Sequence, residues 1–232
     1  FLEQCYTFED CPIIIIMSAT IIPELYIDFF AAGSNVSNEE KYNKIILVKG
    51  RSYPITEHFI EYDKDNALTY TTELVDKIHK ENENDWKEIK SPDLRDILVF
   101  CSGINDITKL EKDLNSLINR DNYYLTSKMM VIPIMGANIA KQDINYQNLF
   151  KKHNELEIER KVILATNVAE TGLTIDTLRY VVDLGWYNSM EFNPILEASA
   201  LISKPIVKNM YKQRIGRVGR LGNGSSYAVY TK

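Results

Sequence analysis

The run Gln213-Arg214-Ile215-Gly216-Arg217-Val218-Gly219-Arg220 sets three guanidinium groups and one carboxamide among two glycines. Arginine stays charged at every accessible pH, and its planar fork matches the oxygens of a phosphate. Glycine lets the backbone turn tightly and approach a ligand closely. Arg217 and Arg220 are three positions apart, so a helical turn would send both to one side. That spacing suits a grip on one polyphosphate. A solvated basic helix is the bland alternative, but each glycine inside a plain helix would cost it about 1 kcal/mol.

A second segment has similar potential. Ala165-Thr166-Asn167-Val168-Ala169-Glu170-Thr171-Gly172-Leu173-Thr174-Ile175-Asp176 directly follows an apolar run at residues 162–165. A polar loop after a buried strand is where parallel sheets hold ligands. Short hydroxyl and amide side chains, with exposed backbone N–H groups, suit contact with a phosphodiester backbone. Thr166 or Asn167 could also cap a following helix, and the two uses are compatible.

Elements must exist to hold these residues. Short β-branched runs at residues 13–17, 45–48, 97–100, 129–134, 162–165, 180–183 and 227–230 read as buried strands. Between them, Leu68, Leu74, Val75 and Ile78, and then Ile104, Ile107, Leu110, Leu114 and Leu117, recur at helical spacing. Alternating strands and helices predict an α/β fold with a parallel sheet flanked by helices. The polar stretch at 33–44 reads as a connection, and the stretch at 80–93 as a surface loop.

Composition removes several function classes. The 232 residues are 45% hydrophobic, enough for one sizeable core, or one domain plus part of another. A net charge of −5 excludes coating nucleic acid by bulk electrostatics, so any such binding must use a local patch. Cys5, Cys11 and Cys101 form no CxxC pair, and read as thiols of a reducing, intracellular compartment, cytoplasmic or nuclear. His58, His79 and His153 are isolated, so no metal site is expected. No run approaches the roughly 20 apolar residues of a membrane span, and no membrane partner is expected. The chain starts at Phe1 without an initiator Met, and is expected to be a piece of a longer protein.

Taken in order, these segments resemble the motifs of superfamily 2 DExH/DEAH-box helicases, the DEAH/RHA group and its viral relatives. Gln213–Arg220 is similar to motif VI, Ala165–Asp176 to motif V, and Met17-Ser18-Ala19-Thr20 to motif III. Asp96-Ile97-Leu98-Val99-Phe100-Cys101-Ser102-Gly103 resembles motif IV, and Gly50-Arg51-Ser52-Tyr53-Pro54-Ile55 the opening of the second lobe. Gln147 and Phe150 fit the family's Gln-x-x-Phe spacing, and residues 227–231 its closing strand. Residues 186–203 alternate well enough for the β-hairpin that projects between motifs V and VI in such proteins.

The resemblance implies a RecA-like fold. Residues 1–33 would end a first lobe with motif III, 34–50 would connect, and 51–232 would form the second lobe. It implies ATP with Mg2+, bound mainly through a first lobe whose Gly-x-x-x-x-Gly-Lys-Thr and Asp-Glu-x-His patterns do not occur in this chain. The chain alone is therefore expected not to hydrolyse ATP. By the same resemblance Arg217 and Arg220 would be arginine fingers, with Gln213 near the γ-phosphate and the attacking water. Gly172, Thr174 and Asp176 would join the nucleotide site, Asp176 at the ribose or a metal-bound water. Ser102, Gly103, Thr166 and Asn167 would contact the nucleic-acid backbone, and Ser18, Ala19 and Thr20 would couple the lobes.

The expected partners are single-stranded or partly duplex RNA, with DNA as the alternative, and the remaining domains of the same polypeptide. The alternative functions are a DNA-directed superfamily 2 translocase and a non-catalytic scaffold lobe that binds nucleic acid. The family usually has serine where Gly172 stands. Val218 leans towards viral members, and the abundance of Ile, Asn, Lys and Tyr suits an AT-rich genome, which would place the protein in a virion or host cytoplasm.

Overall fold

The computed structural model describes residues 15–17, 23–30, 45–46, 53–61, 66–81, 94–119, 128–135, 143–195 and 197–231. The chain divides into two units, Phe1–Lys49 and Gly50–Lys232. In the first, the described residues form one helix, α1 (Pro23–Phe30).

The second unit runs β1 (Ile55–Phe59), α2 (Ala67–Glu81), β2 (Asp96–Phe100), α3 (Ile104–Ile118), β3 (Met129–Ile134), α4 (Ile144–Phe150) and β4 (Arg160–Ala165). It continues with α5 (Val168–Thr171), β5 (Leu178–Asp183), β6 (Trp186–Asn193), β7 (Ala198–Pro205), α6 (Lys208–Ile215) and β8 (Gly224–Ala228). Six strands form one sheet in the order β1-β8-β5-β2-β4-β3, each pairing parallel. β6 and β7 form a separate antiparallel hairpin.

The central strands are apolar on both faces because helices or loops cover both. Ile97, Val99 and Cys101 join a core with α2 and α3, while Leu98 and Phe100 join another with Leu149, Leu173, Ile175 and Val218. This is the period-two alternation of a strand read on two buried faces. In α3, Ile107, Leu110, Leu114 and Ile118 are buried at three- and four-residue spacing.

Asp96 starts β2 fully buried, where a charge needs partners. Its Oδ1 lies 2.7 Å from His153 Nε2 and accepts from the Lys161 backbone N–H at 2.8 Å. Its Oδ2 accepts from the Thr177 hydroxyl. Lys161 Nζ donates to the Leu149 carbonyl at 2.9 Å and to that of Lys151, capping the end of α4. Burial lowers the Lys161 pKa from its ordinary value, with Asp96 opposing. This cluster locks the amino ends of β2, β4 and β5.

The parallel sheet and the projecting hairpin agree with the expected fold. Several details differ. Residues 15–17 are neither strand nor buried, with Met17 86% exposed. The neighbours a buried strand there needs are not among the described residues. Residues 45–46 are likewise not strand, and Ile46 is 85% exposed. The last strand lies at Gly224–Ala228, three residues earlier than its apolar content suggested. Small Gly224, Ser226 and Ala228 are its buried positions, and neighbours on both sides fix its register. β1 was not legible as a strand because it is an edge whose middle residues Thr56, Glu57 and His58 are exposed. Ser18, Ala19 and Thr20, and most of the connection, lie outside the described residues.

Candidate functional site

β2 and β4 are neighbours, with Phe100 opposite Ala165 at their carboxyl ends. The next residues on each chain are Cys101-Ser102-Gly103 and Thr166-Asn167. The expected backbone-contact residues are therefore brought together at one sheet edge. Ser102, Gly103 and Thr166 are half-buried and Asn167 is exposed. The Ser102 hydroxyl donates to Asp106, which also accepts from the Ser102 N–H at 3.1 Å. The hydroxyl proton is thus committed within the chain, and its oxygen remains an acceptor. Asn167 stands at the N-cap of α5, yet its side chain makes no capping bond. The capping use of this residue is not realised, which leaves the carboxamide for other partners. A Cβ on Gly103 would lie 2.5 Å from Asn188 Nδ2, so the root of the hairpin packs directly on the start of α3.

The arginine run does not form one helical turn. α6 ends at Ile215, and Gly216 caps it through bonds from its N–H to the Lys212 and Arg214 carbonyls. Gly219 has φ +73, a left-handed value that glycine adopts without strain. The two expected finger residues thus lie on a turn beyond the helix, and the three arginines have three different settings.

Arg214 is fully buried in the last turn of α6. Its Nε donates to Glu170 at 2.7 Å and its NH1 to Asp183 Oδ1 at 2.6 Å. The same group reaches the Trp186 carbonyl at 3.4 Å, and its guanidinium carbon sits 4.9 Å from the Phe100 ring centroid. Asp183 also accepts from the Tyr230 hydroxyl at 3.0 Å and from the Gly185 N–H at 2.8 Å. One guanidinium therefore ties together the ends of β2 and β5, the helix after β4 and the hairpin root. Burial alone would lower the Arg214 pKa, but Asp183 and Glu170 outweigh it and the net shift is upward.

Arg217 is half-buried and donates from NH1 to the Leu173 carbonyl at 3.1 Å. Its Nε is buried with no hydrogen-bond partner among the described residues. Burial and then the charge of Arg220 lower its pKa, with Glu170 opposing. Arg220 is exposed, and its Nε donates to the Gly216 carbonyl at 3.2 Å. Gln213 is half-buried on α6. Leu173, Ile175 and Val218 share one core, so the 172–176 loop and the arginine turn pack on the same face of the sheet. Gly172 and Thr174 are exposed on that loop.

Asp176 is placed differently. It is exposed one residue before Thr177, whose carbonyl accepts from the Arg95 and Asp96 N–H groups at 3.0 and 2.9 Å. That puts it at the amino end of β2, away from the edge that carries Ser102 and Thr166. The candidate residues form a patch at the carboxyl edge and a second patch down one face. Glu170 and Arg214 join the two. Sequence spacing did not assign these two, nor Asp183 and Tyr230. The one available signal was Asp183, a charge that ends an otherwise apolar strand; Glu170 and Arg214 sit among polar neighbours in the sequence.

Among the described residues no group of three or more His, Cys, Asp or Glu is placed to hold a metal ion. No helix among them is long and apolar enough to cross a membrane.

Comparison with known proteins bears on this arrangement. The model of the helicase conserved C-terminal domain matches residues 73–222. A protein of African swine fever virus that carries an RNA helicase designation, B962L, is 35% identical over 95% of this chain and 23% of its own length. The human ATP-dependent RNA helicase DHX33 is 28% identical over 94% of this chain and 27% of its own. The crystal structure of the E. coli DExH-box NTPase HrpB superposes with a TM-score of 0.59 at 26% identity, over 81% of this chain and 20% of that one. The chain spans about a quarter of the length of these relatives. With motifs IV, V and VI in order on a RecA-like sheet, the chain belongs to the helicase conserved C-terminal domain family, in its DExH/DEAH-box superfamily 2 branch.

Proposed function

We propose that this chain is the second motor lobe of an ATP-dependent RNA helicase, and that Arg217 and Arg220 act as fingers on the β- and γ-phosphates of an ATP held mainly by a first lobe. In this assignment residues 1–33 end that first lobe, 34–50 connect, and 51–232 are the second lobe. Ser18, Ala19 and Thr20 couple the two. The observation that carries the reading is Arg217 itself. A half-buried guanidinium with an unpartnered buried Nε, pressed by a second guanidinium, is a setting that an anion relieves.

The residues present fit a triphosphate. Arg217 and Arg220 would neutralise the charge that develops during phosphoryl transfer, and Gln213 would orient the attacking water. Gly172 and Thr174 would border the nucleotide. Asp176 would reach ribose or metal-bound water only by way of its loop, since it sits at the amino end of the strands. Mg2+ would be supplied with ATP and held by the first lobe.

Ser102, Gly103, Thr166 and Asn167 would grip the nucleic-acid backbone at the carboxyl edge. Backbone contacts carry little base information, so binding should be insensitive to sequence and should weaken with salt. RNA is the substrate class carried by the names of the relatives. The buried free thiol of Cys101 supports an intracellular setting.

The test is steady-state turnover in the two-lobed protein. Arg217→Ala and Arg220→Ala should each lower ATP hydrolysis by about 10³–10⁵, the effect of losing such a finger. Near-normal turnover would sink the assignment. Unwinding with RNA against DNA loading strands decides between an RNA helicase and a DNA-directed translocase. A two-lobed protein that binds nucleic acid without hydrolysing ATP would instead be a scaffold.

A further inference from the structure

The second unit opens with Gly50-Arg51-Ser52-Tyr53-Pro54-Ile55. Residues 53–55, Tyr53-Pro54-Ile55, follow three residues after the unit begins at Gly50. The structure lays them directly across the arginine turn. The Tyr53 N–H donates to the Gly219 carbonyl at 2.8 Å. The Gly224 N–H donates to the Pro54 carbonyl at 3.1 Å. Ile55 then starts β1, pairing with Gly224, and packs against the core that holds Val218 and Leu173. The loop that begins at Gly219 and ends at Gly224 is therefore fastened to this strap at both of its ends, with Arg220 the first residue inside it.

The fit leaves no slack at Gly219. A Cβ there would lie 2.9 Å from the Tyr53 carbonyl oxygen and 2.8 Å from Ile55 Cγ1, and φ is +73. In the sequence this glycine reads as one that admits a ligand. In the structure the group that comes close is the chain's own strap.

We propose that Tyr53–Pro54–Ile55 is a positioning strap for Arg220, and that Gly219 is its seat. The strap makes no contact with phosphate in this role. It fixes the turn so that the Arg220 guanidinium is presented at one angle, and it puts the chain entering the lobe in direct hydrogen-bonded contact with the residue next to a finger. A displacement of the entering chain is then delivered to Arg220 across one hydrogen bond. The proposal rests on the reading of Arg220 as a finger, and the experiment separates the two.

In the two-lobed protein, the Tyr53 amide is replaced by an ester through its α-hydroxy acid analogue, which removes the N–H that reaches Gly219. Gly219→Ala is the second variant, and Arg220→Ala the reference. Each is measured for kcat and KM of RNA-stimulated ATP hydrolysis, for RNA affinity, and for thermal unfolding. The ester should lower kcat at least fivefold, with KM for ATP and RNA affinity within twofold and the unfolding transition intact; Gly219→Ala, whose Cβ must displace the strap, should lower kcat per folded molecule at least tenfold. A merely structural bond would lower the unfolding midpoint and leave kcat per folded molecule unchanged. If Arg220→Ala abolishes turnover while the ester keeps kcat within twofold, the strap is wrong and the finger stands. If Arg220→Ala turns over normally, the finger itself has failed. Should Gly219→Ala not fold, the ester decides alone.

Discussion

Two buried charged clusters sit at opposite ends of the same central strands. At the amino end, Asp96 is closed in by His153, Thr177 and the Lys161 backbone, and Lys161 spends its ammonium on helix-end carbonyls. At the carboxyl end, Arg214 is closed in by Glu170 and Asp183. Both clusters bury charge at a desolvation cost that only well-made hydrogen bonds offset. They differ in what lies next to them. Beside the Asp96 cluster lies Arg95, whose guanidinium pairs with Glu159 at 3.5 Å. The Arg214 cluster continues, through Glu170, towards Arg217, whose buried Nε has no hydrogen-bond partner among the described residues, and towards exposed Arg220. The lesson is that buried charge alone does not mark a site. A site is marked where a satisfied buried pair holds unsatisfied charges in place beside it.

The two ends should respond differently to mutation. The largest effect on stability is expected at Arg214. Arg214→Ala leaves two carboxylates buried without their partner, and should cost about 3–5 kcal/mol or prevent folding. Chemical denaturation measures it, and a loss below about 1 kcal/mol would mean the pair is not buried as described. Asp96→Ala should cost about 2–3 kcal/mol by stranding the groups that donate to it. Unlike any change around Arg217, it should leave kcat per folded molecule unchanged. A specific fall in kcat would make the amino-end cluster functional and erase the contrast.

Tyr230 ties the carboxyl-end cluster to pH. Burial first, then Asp183 beside it, raise the Tyr230 pKa above its ordinary 10.0, and burial does the same for Tyr211 with help from its bond to Glu57. The folded state favours the neutral phenols. Their stabilisation is complete below pH about 10 and is lost as pH rises beyond it, because the unfolded chain releases those protons first. Stability should therefore fall above pH 10, and Tyr230→Phe should make that fall shallower. An unchanged slope would remove Tyr230 from the cluster. Gly172→Ser, which installs the residue usual in the family, should act least. Its Cβ meets the Val168 carbonyl at 3.0 Å, so α5 must yield by a few tenths of an ångström. A cost of about 0.5 kcal/mol is expected, and a loss above 2 kcal/mol in urea melts would show that the turn cannot yield.

The fold was largely legible because its central strands are apolar on both faces, as at 97–100 and 162–165, and lie between segments of helical spacing. The edge strand β1 was not, because an exposed strand carries polar residues. β8 was misplaced because its buried positions are filled by Gly, Ser and Ala, whose small size carries no hydrophobic signal. For the site, residue type and order located the loops. They did not show that the helix stops at Ile215, since that depends on how Gly216 and Gly219 are bonded in three dimensions. Spacing and resemblance set Arg217 and Arg220 apart from Arg214, but left Arg214 without a role. Its full burial and its bonds to Glu170 and Asp183 supply that role, since they tie α6 to α5 and to the end of β5.

The most direct measurement is single-turnover ATP hydrolysis by the two-lobed protein carrying Arg217→Ala, with nucleotide affinity determined separately. The finger assignment implies a rate lower by about 10³–10⁵, with affinity changed less than tenfold and the fold intact. A rate within tenfold of the unmodified protein would contradict it.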